Sequence, residues 1–149
     1  MKNSILRIMK AFGACVMLGV SILAAQPGYN LVANVPFDFT VMDKHFAAGT
    51  YTLTTDTLQS LLLIRGRQSG AAMFVMALPT ESGKIRDDAK LVFDRFGDQY
   101  FLRNILYAGT NQGYQLRVSK AERELARNSR GPEQTTLLVA KQKGHKPVQ

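Results

Sequence analysis

Apolar and polar residues alternate along much of the chain from residue 29 to residue 140. The clearest example is Val35-Pro-Phe-Asp-Phe-Thr-Val41, in which every second residue is apolar. Side chains alternate across a strand, so this pattern predicts a half-buried antiparallel strand with Pro36 at its start or edge. Further short runs between turn signals predict strands at residues 51–55, 61–65, 71–78, 90–96, 99–106 and 135–140, with a short extended piece at residues 114–116.

The run from residue 90 to residue 106 predicts a β-hairpin around which the fold is organised. Gly97-Asp98 lies between two apolar runs, and a Gly-Asp pair in that setting is a strong signal for a two-residue turn. In the resulting register Phe96 faces Gln99 and Phe93 faces Leu102. The hairpin then has two apolar faces.

One face of this hairpin should lie in the core, and the other face is the candidate functional surface. The second face carries Phe96, Phe101 and Ile105, with Arg103 beside them. A hairpin that is apolar on both faces is either central in a sandwich or barrel, or it meets a partner. The sequence leaves both alternatives open, and these four residues are its candidates for partner binding.

A single helix is predicted near residues 119–130. Ser119-Lys-Ala-Glu122 has the form of a capping box, in which Ser119 caps the first turn and Glu122 reaches back to it. Gly131-Pro132 ends the helix. Most of its residues are charged and Leu125 is its main apolar residue, so we expect it on the surface.

These elements predict an all-β, mainly antiparallel domain. About seven strands at short intervals are typical of a small β-sandwich or barrel, here with one short C-terminal surface helix. The predicted domain covers residues 26–140, and residues 141–149 form a basic tail that we expect to be disordered.

The N-terminal residues have the three parts of a secretory signal peptide. A basic start with Lys2, Arg7 and Lys10 precedes an uncharged apolar segment at residues 11–23, and small residues follow at 24 and 25. We predict a signal peptide at residues 1–25, no transmembrane span after its removal, and a periplasmic or extracellular location. Leu23 fits the cleavage site poorly, so a retained N-terminal anchor is the alternative.

Cysteine content and net charge indicate whether disulfides are expected and which partners the protein favours. Cys15 is the single cysteine and lies in the signal, so no disulfide is expected in the exported chain. Three of the nineteen Lys and Arg residues lie in the signal, so sixteen remain in the exported chain. With eleven Asp and Glu residues, the exported chain has a formal net charge of +5. This surplus favours an envelope protein or an anionic polysaccharide or lipid as partner. Basic residues are not interleaved with aromatic ones, which argues against nucleic acid.

No residue pattern in the chain indicates catalysis. Neither His45 nor His145 has a second His, a Cys or a well-spaced carboxylate nearby, and Asp87-Asp88 lacks the spacing of a calcium loop. The chain has neither a nucleophile elbow nor a phosphate-binding loop. We therefore predict no catalytic, cofactor-binding or metal-binding residue, no cofactor and no enzymatic activity.

Several of these motifs together resemble a family of uncharacterised small exported bacterial proteins. They are the signal peptide, residues 35–41, Ala48-Gly-Thr-Tyr51, residues 91–102 and residues 119–126. The resemblance implies export and a single β-rich domain, and it implies no activity.

Two functional hypotheses remain from the sequence. The first is a non-enzymatic envelope domain that binds a protein partner or an anionic polymer. The alternative is a carrier of a small apolar ligand, with a closed β-barrel whose interior is lined by Phe37, Phe39, Tyr51, Phe93 and Tyr100.

Overall fold

The computed structural model describes residues 28–56, 60–129 and 131–139. These residues form ten strands and one helix. In chain order the elements are β1 (Gly28–Val35), β2 (Phe39–Val41), β3 (Lys44–Phe46), β4 (Gly49–Asp56), β5 (Leu61–Gly66), β6 (Ala72–Glu81), β7 (Ala89–Phe96), β8 (Gln99–Leu106), β9 (Gln112–Leu116), α1 (Lys120–Asn128) and β10 (Glu133–Val139).

All ten strands belong to one sheet. Its order is β1-β4-β5-β6-β9-β8-β7-β10, and the small β2–β3 hairpin joins β8 through a parallel bridge between Thr40 and Phe101. Every other strand pair is antiparallel. The all-β, mainly antiparallel class with one C-terminal helix is therefore confirmed.

The sheet curls around a single hydrophobic core to which every strand contributes. Strand β10 comes close to β1, but among the described residues no backbone pairing joins the two. The architecture is thus a rolled, open sheet, which lies between the two predicted alternatives of sandwich and closed barrel.

The predicted strand from Val35 to Val41 is divided in two. Pro36 has no N–H to donate to a strand ladder, and the chain leaves the sheet between Val35 and Phe39. The alternation nevertheless holds, because Val35, Phe39 and Val41 are all buried in the core. Phe37 is half-buried and stacks on Tyr100, with the ring centroids 4.1 Å apart.

The predicted hairpin is present as β7 and β8. Phe96 pairs with Gln99 and Phe93 with Leu102, as the sequence predicts. Gly97 has φ 60°, a conformation that glycine adopts at no steric cost, and positive φ at the first turn position is typical of a type II′ turn.

A β-bulge corrects the predicted register beyond Leu102. Val92 pairs with Asn104, so Arg103 is an extra residue in β8 with no partner opposite. The extra residue moves Ile105 to the other face of the hairpin. Ile105 pairs with Leu91 and is fully buried in the main core, whereas the unbroken register placed it beside Phe96 and Phe101.

Helix α1 begins and is capped as predicted. The Oγ of Ser119 accepts from the Glu122 N–H at 3.2 Å, and the Ser119 N–H donates to Glu122 Oε2 at 3.3 Å. The helix is mostly exposed, but its one buried residue is Glu122, while Leu125 is only half-buried.

The predicted signal peptide, its cleavage site and the predicted basic tail all lie outside the described residues. In the parts of the chain that the structure describes, no helix is long and apolar enough to cross a bilayer.

Candidate functional site: an uncovered apolar sheet face

All four residues predicted to bind a partner lie in the interior. The exposed fractions are 8 % for Phe96, 3 % for Phe101, 7 % for Arg103 and 0 % for Ile105. Phe96 and Phe101 contact each other edge to face, with the ring centroids 6.0 Å apart. The four residues therefore do not form an exposed patch, and partner binding by them stays a prediction that would require this region to open.

Helix α1 lies next to two of these four residues, Phe96 and Arg103. Phe96 and Arg103 line a cleft of about 410 Å³ together with Glu122 and Ala126 of the helix. The helix therefore lies beside the outward face of the β7–β8 hairpin. The sequence suggested that so charged a helix would add little to a core, and the structure shows that its contribution is ionic.

Arg103 is the centre of a buried ionic network. Its Nε donates to Asp94 Oδ2 at 2.6 Å, its Nη1 donates to the Leu116 carbonyl at 2.9 Å, and its Nη2 donates to Glu122 Oε1. Asp94 and Glu122 are 6 % and 4 % exposed. Among the described residues no buried side-chain nitrogen or oxygen lacks a hydrogen-bond partner.

The network joins strand β8 to strand β7 and to helix α1. The bulge in β8 supplies the extra residue, Arg103, that reaches both the β7 carboxylate and the helix. Glu122 bonds Arg103 with one carboxylate oxygen and the Ser119 N–H with the other. The capping box is visible in the sequence, but the role of Glu122 as a buried partner of Arg103 is not, because that contact joins distant parts of the chain.

The exposed apolar surface lies on a different part of the sheet, on the outward side of β5 and β6. Phe74 is 64 % exposed, Met76 63 % and Leu78 44 %. On β5, the half-buried Leu63 pairs with Phe74 and the half-buried Leu61 pairs with Met76. These residues form what we call the β5–β6 face: Leu61, Leu63, Phe74, Met76 and Leu78.

The inward side of the same two strands explains why this face must point outward. Leu62, Ile64, Val75 and Ala77 alternate with the residues of the β5–β6 face and are all buried in the core. Because successive side chains point to opposite sides of a strand, burying one set exposes the other. The run at residues 61–64 is apolar on both sides of the strand, but in the described residues its outer side has no cover comparable to the core on its inner side.

Basic residues gather at one end of the β5–β6 face. Arg65 is exposed and pairs with Ala72 at the start of β6. The Nζ of Lys44 donates to the Ala72 carbonyl at 2.7 Å, and the N–H of Arg67 donates to the Thr50 carbonyl at 2.9 Å. Lys44 and Arg65 thus lie near the Phe74 end and Arg67 follows Arg65 by two residues, while Asp43 precedes Lys44 in the chain.

Polar residues flank the β5–β6 face on both sides. Thr54 of β4 pairs with Leu63, and Thr52 pairs with Arg65. On the opposite side Gln115 of β9 pairs with Leu78. An apolar area with a polar and basic border is typical of an interaction surface.

A second cleft, of about 430 Å³, lies beside a group of tyrosines. Tyr29 and Tyr107 stack with ring centroids 4.4 Å apart, and both line the cleft with Ile85 and Arg86. The Tyr107 hydroxyl and Thr55 Oγ1 are 2.5 Å apart, and burial raises the pKa of Tyr107 to about 12. Tyr107 is therefore protonated at neutral pH and serves as a hydrogen-bonding group.

The aromatic rings proposed for a ligand-lined barrel instead pack against one another. Phe39 contacts Tyr51 at 5.1 Å and Phe93 at 5.6 Å between ring centroids, and Phe37 contacts Phe93 at 5.1 Å. In the described ranges no group of three or more His, Cys, Asp and Glu side chains is arranged to hold a metal ion.

Compared with known proteins, the chain matches no family model, no curated protein and no solved structure. The resemblance to small exported bacterial proteins therefore stays a prediction.

Proposed function

We propose that this protein is an exported, non-enzymatic domain of the cell envelope that binds a protein partner, an anionic polymer or an anionic lipid surface through its β5–β6 face. The observation that carries the proposal is the exposure of Phe74, Met76 and Leu78 in alternate positions of one strand. Isolated exposed apolar side chains are ordinary, but a contiguous group with a polar border is typical of a binding surface.

The burial of the hairpin residues supports this choice of surface. Phe96 and Phe101 have little accessible area for a partner, whereas the β5–β6 face is accessible without any change in the fold.

The arrangement of charged groups supports a binding role over a catalytic one. The buried charged side chains Asp94, Arg103 and Glu122 bond one another and so are engaged in holding α1.

The carrier hypothesis has less support. It requires an interior that a ligand can enter, and the rings of Phe39, Phe93 and Tyr51 fill that interior with mutual contacts. It also requires a closed barrel, and β1 and β10 are not paired in the described part of the chain.

Methionine oxidation tests the proposal without knowledge of the partner. Met76 lies in the β5–β6 face and should react rapidly with hydrogen peroxide in the purified protein, because its side chain is exposed. In intact envelopes of the expressing cells the same residue should be protected. The measurement is the oxidised fraction of each methionine peptide over time, by mass spectrometry.

A variant supplies a matched control in the same molecule. Ile85→Met places a methionine at a position that is 73 % exposed and lies outside the β5–β6 face. This reporter should oxidise at the same rate in envelopes and in solution. Equal oxidation of Met76 in the two preparations would show that nothing covers the face and would refute the proposed function.

A further inference from the structure

We infer that the β5–β6 face docks onto an anionic lipid surface, an inference that rests on the proposed function and specifies its partner. Three features of the described residues carry it: the apolar side chains, the basic residues at one end of them, and the position of the first described residue.

The apolar side chains suit the boundary between headgroups and acyl chains. Phe74, Met76 and Leu78 project from one strand, and Leu61 and Leu63 lie beside them on the next. Peripheral membrane binding depends on buried apolar area together with attraction to anionic lipids, and it requires no matching pocket on the other side. A continuous apolar surface meets this requirement.

The basic residues are placed where headgroups would lie. Lys44, Arg65 and Arg67 are all exposed. Contacts with Ala72 place Lys44 and Arg65 at the Phe74 end of the face, and Arg67 follows Arg65 by two residues. On the flanking strands the rim is uncharged at Thr52, Thr54 and Gln115, and its acidic residue, Asp56, pairs with Leu61 at the end of the face away from Lys44 and Arg65. Cationic side chains next to an apolar surface are attracted to anionic lipids within about one Debye length of the membrane, roughly 10 Å.

The start of the described chain lies close to the other end of the face. Gly28 pairs with Asp56, Asp56 pairs with Leu61, and Leu61 pairs with Met76. Neighbouring strands are about 4.8 Å apart, so Gly28 lies about 10 Å from Leu61 across the sheet. The predicted apolar segment at residues 11–23 is joined to Gly28 by residues 24–27.

The short connection limits how far the described domain can lie from the predicted membrane-entering segment. A linker of this length reaches at most about 14 Å when extended. The segment that we predict to enter the membrane during export therefore brings the β5–β6 face close to the bilayer until the segment is cleaved, and holds it there if the segment is retained. The basic residues Lys141, Lys143 and Lys146 follow β10 and add to the attraction.

Vesicle flotation tests the inference. The chain beginning at Gln26 retains every described strand and the whole core. It should float with vesicles that contain phosphatidylglycerol and stay at the bottom of the gradient with pure phosphatidylcholine. The double variant Phe74→Ser with Met76→Ser should lower binding by about tenfold or more, because both apolar side chains are lost from the docking surface.

Further variants separate the contribution of the basic residues to vesicle binding from that of the apolar residues. Arg65→Gln with Arg67→Gln should weaken binding to the anionic vesicles and reduce its salt sensitivity. Ile85→Ser with Leu138→Ser is the matched control, since both residues are exposed apolar side chains outside the face, and this variant should bind like the parent. Circular dichroism should show the same fold for all variants, because every substituted side chain is at the surface.

Several results would overturn the inference. Protection of Met76 in envelopes without vesicle binding would leave the proposed function standing and require a protein or polysaccharide partner. A soluble dimer that dissociates on Phe74→Ser would identify a second copy as the occupant. Vesicle binding that is unchanged by the face variants, but lost when residues 141–149 are removed, would assign binding to the basic tail alone.

Discussion

The guanidinium of Arg103 bonds the carboxylate of Glu122, which joins the bulge of β8 to the first turn of α1. Both side chains are buried, at 8 % and 5 % side-chain exposure, and Asp94 bonds the same guanidinium from β7. A buried cation is thus shared by two buried carboxylates. This relationship explains how a helix with few apolar residues is held against the sheet.

Loss of Arg103 should therefore be strongly destabilising. Arg103→Met leaves Asp94 and Glu122 buried without their cation, and removal of one partner from a buried ionic group costs about 3–5 kcal/mol. Urea unfolding should show this loss of free energy. Arg127→Met, in the exposed last turn of α1, is the control and should cost less than about 1 kcal/mol. Equal costs for the two variants would mean that the network does not hold the helix.

Because of the β-bulge, we expect truncation of Ile105 to destabilise the protein more than truncation of its neighbour Leu106. Ile105 is fully buried in the main core, whereas Leu106 is half-buried on the outward side. Ile105→Ala should lower the free energy of unfolding by about 2–5 kcal/mol, and Leu106→Ala should cost clearly less. An unbroken hairpin would reverse this order. Thermal or urea unfolding of the two variants distinguishes the registers.

The tyrosine cluster predicts a loss of stability in alkali. Burial raises the pKa of Tyr107 from its ordinary 10.0 to about 12. A group whose pKa is higher in the folded state binds its proton more tightly there, so its contribution is complete below pH 10 and is lost as the pH rises towards 12. The free energy of unfolding should fall over this window.

Tyr107→Phe tests the source of this pH dependence. The variant lacks the titrating hydroxyl, so the decline between pH 10 and pH 12 should be smaller than in the parent. At neutral pH it should be less stable by about 1–3 kcal/mol, because Thr55 loses its bonding partner in a fully buried position. Tyr100→Phe, at a half-buried position, is the control. An unchanged alkaline decline in Tyr107→Phe would assign it to other groups.

The hairpin turn predicts a purely conformational effect. Gly97 has φ 60°, and an added Cβ there would meet no atom within 4 Å. Gly97→Ala should therefore destabilise the fold by about 1 kcal/mol or more through backbone strain alone. Gly83 is equally open but does not have positive φ, so Gly83→Ala should be neutral or slightly stabilising. Similar unfolding midpoints for both variants would contradict the assigned turn.

Features that depend on a few neighbouring residues were predictable from the sequence. The turn at Gly97-Asp98 follows from the freedom of glycine, and the start of α1 follows from the pairing of Ser119 with Glu122. The strand alternation at Val35, Phe39 and Val41 also held, although Pro36 divides the strand. In each case the physical cause lies within a short segment, so the pattern of residues contains it.

The position of the exposed surface was decided only by the tertiary structure. Residues 61–64 and the second face of the hairpin are both apolar on two sides in the sequence. The bulge at Arg103 and the ionic contact with Glu122 bring α1 beside the hairpin, whereas the described chain brings no such cover to Phe74 and Met76. Whether an apolar side chain is buried depends on which distant segment packs over it, and that follows from the path of the whole chain.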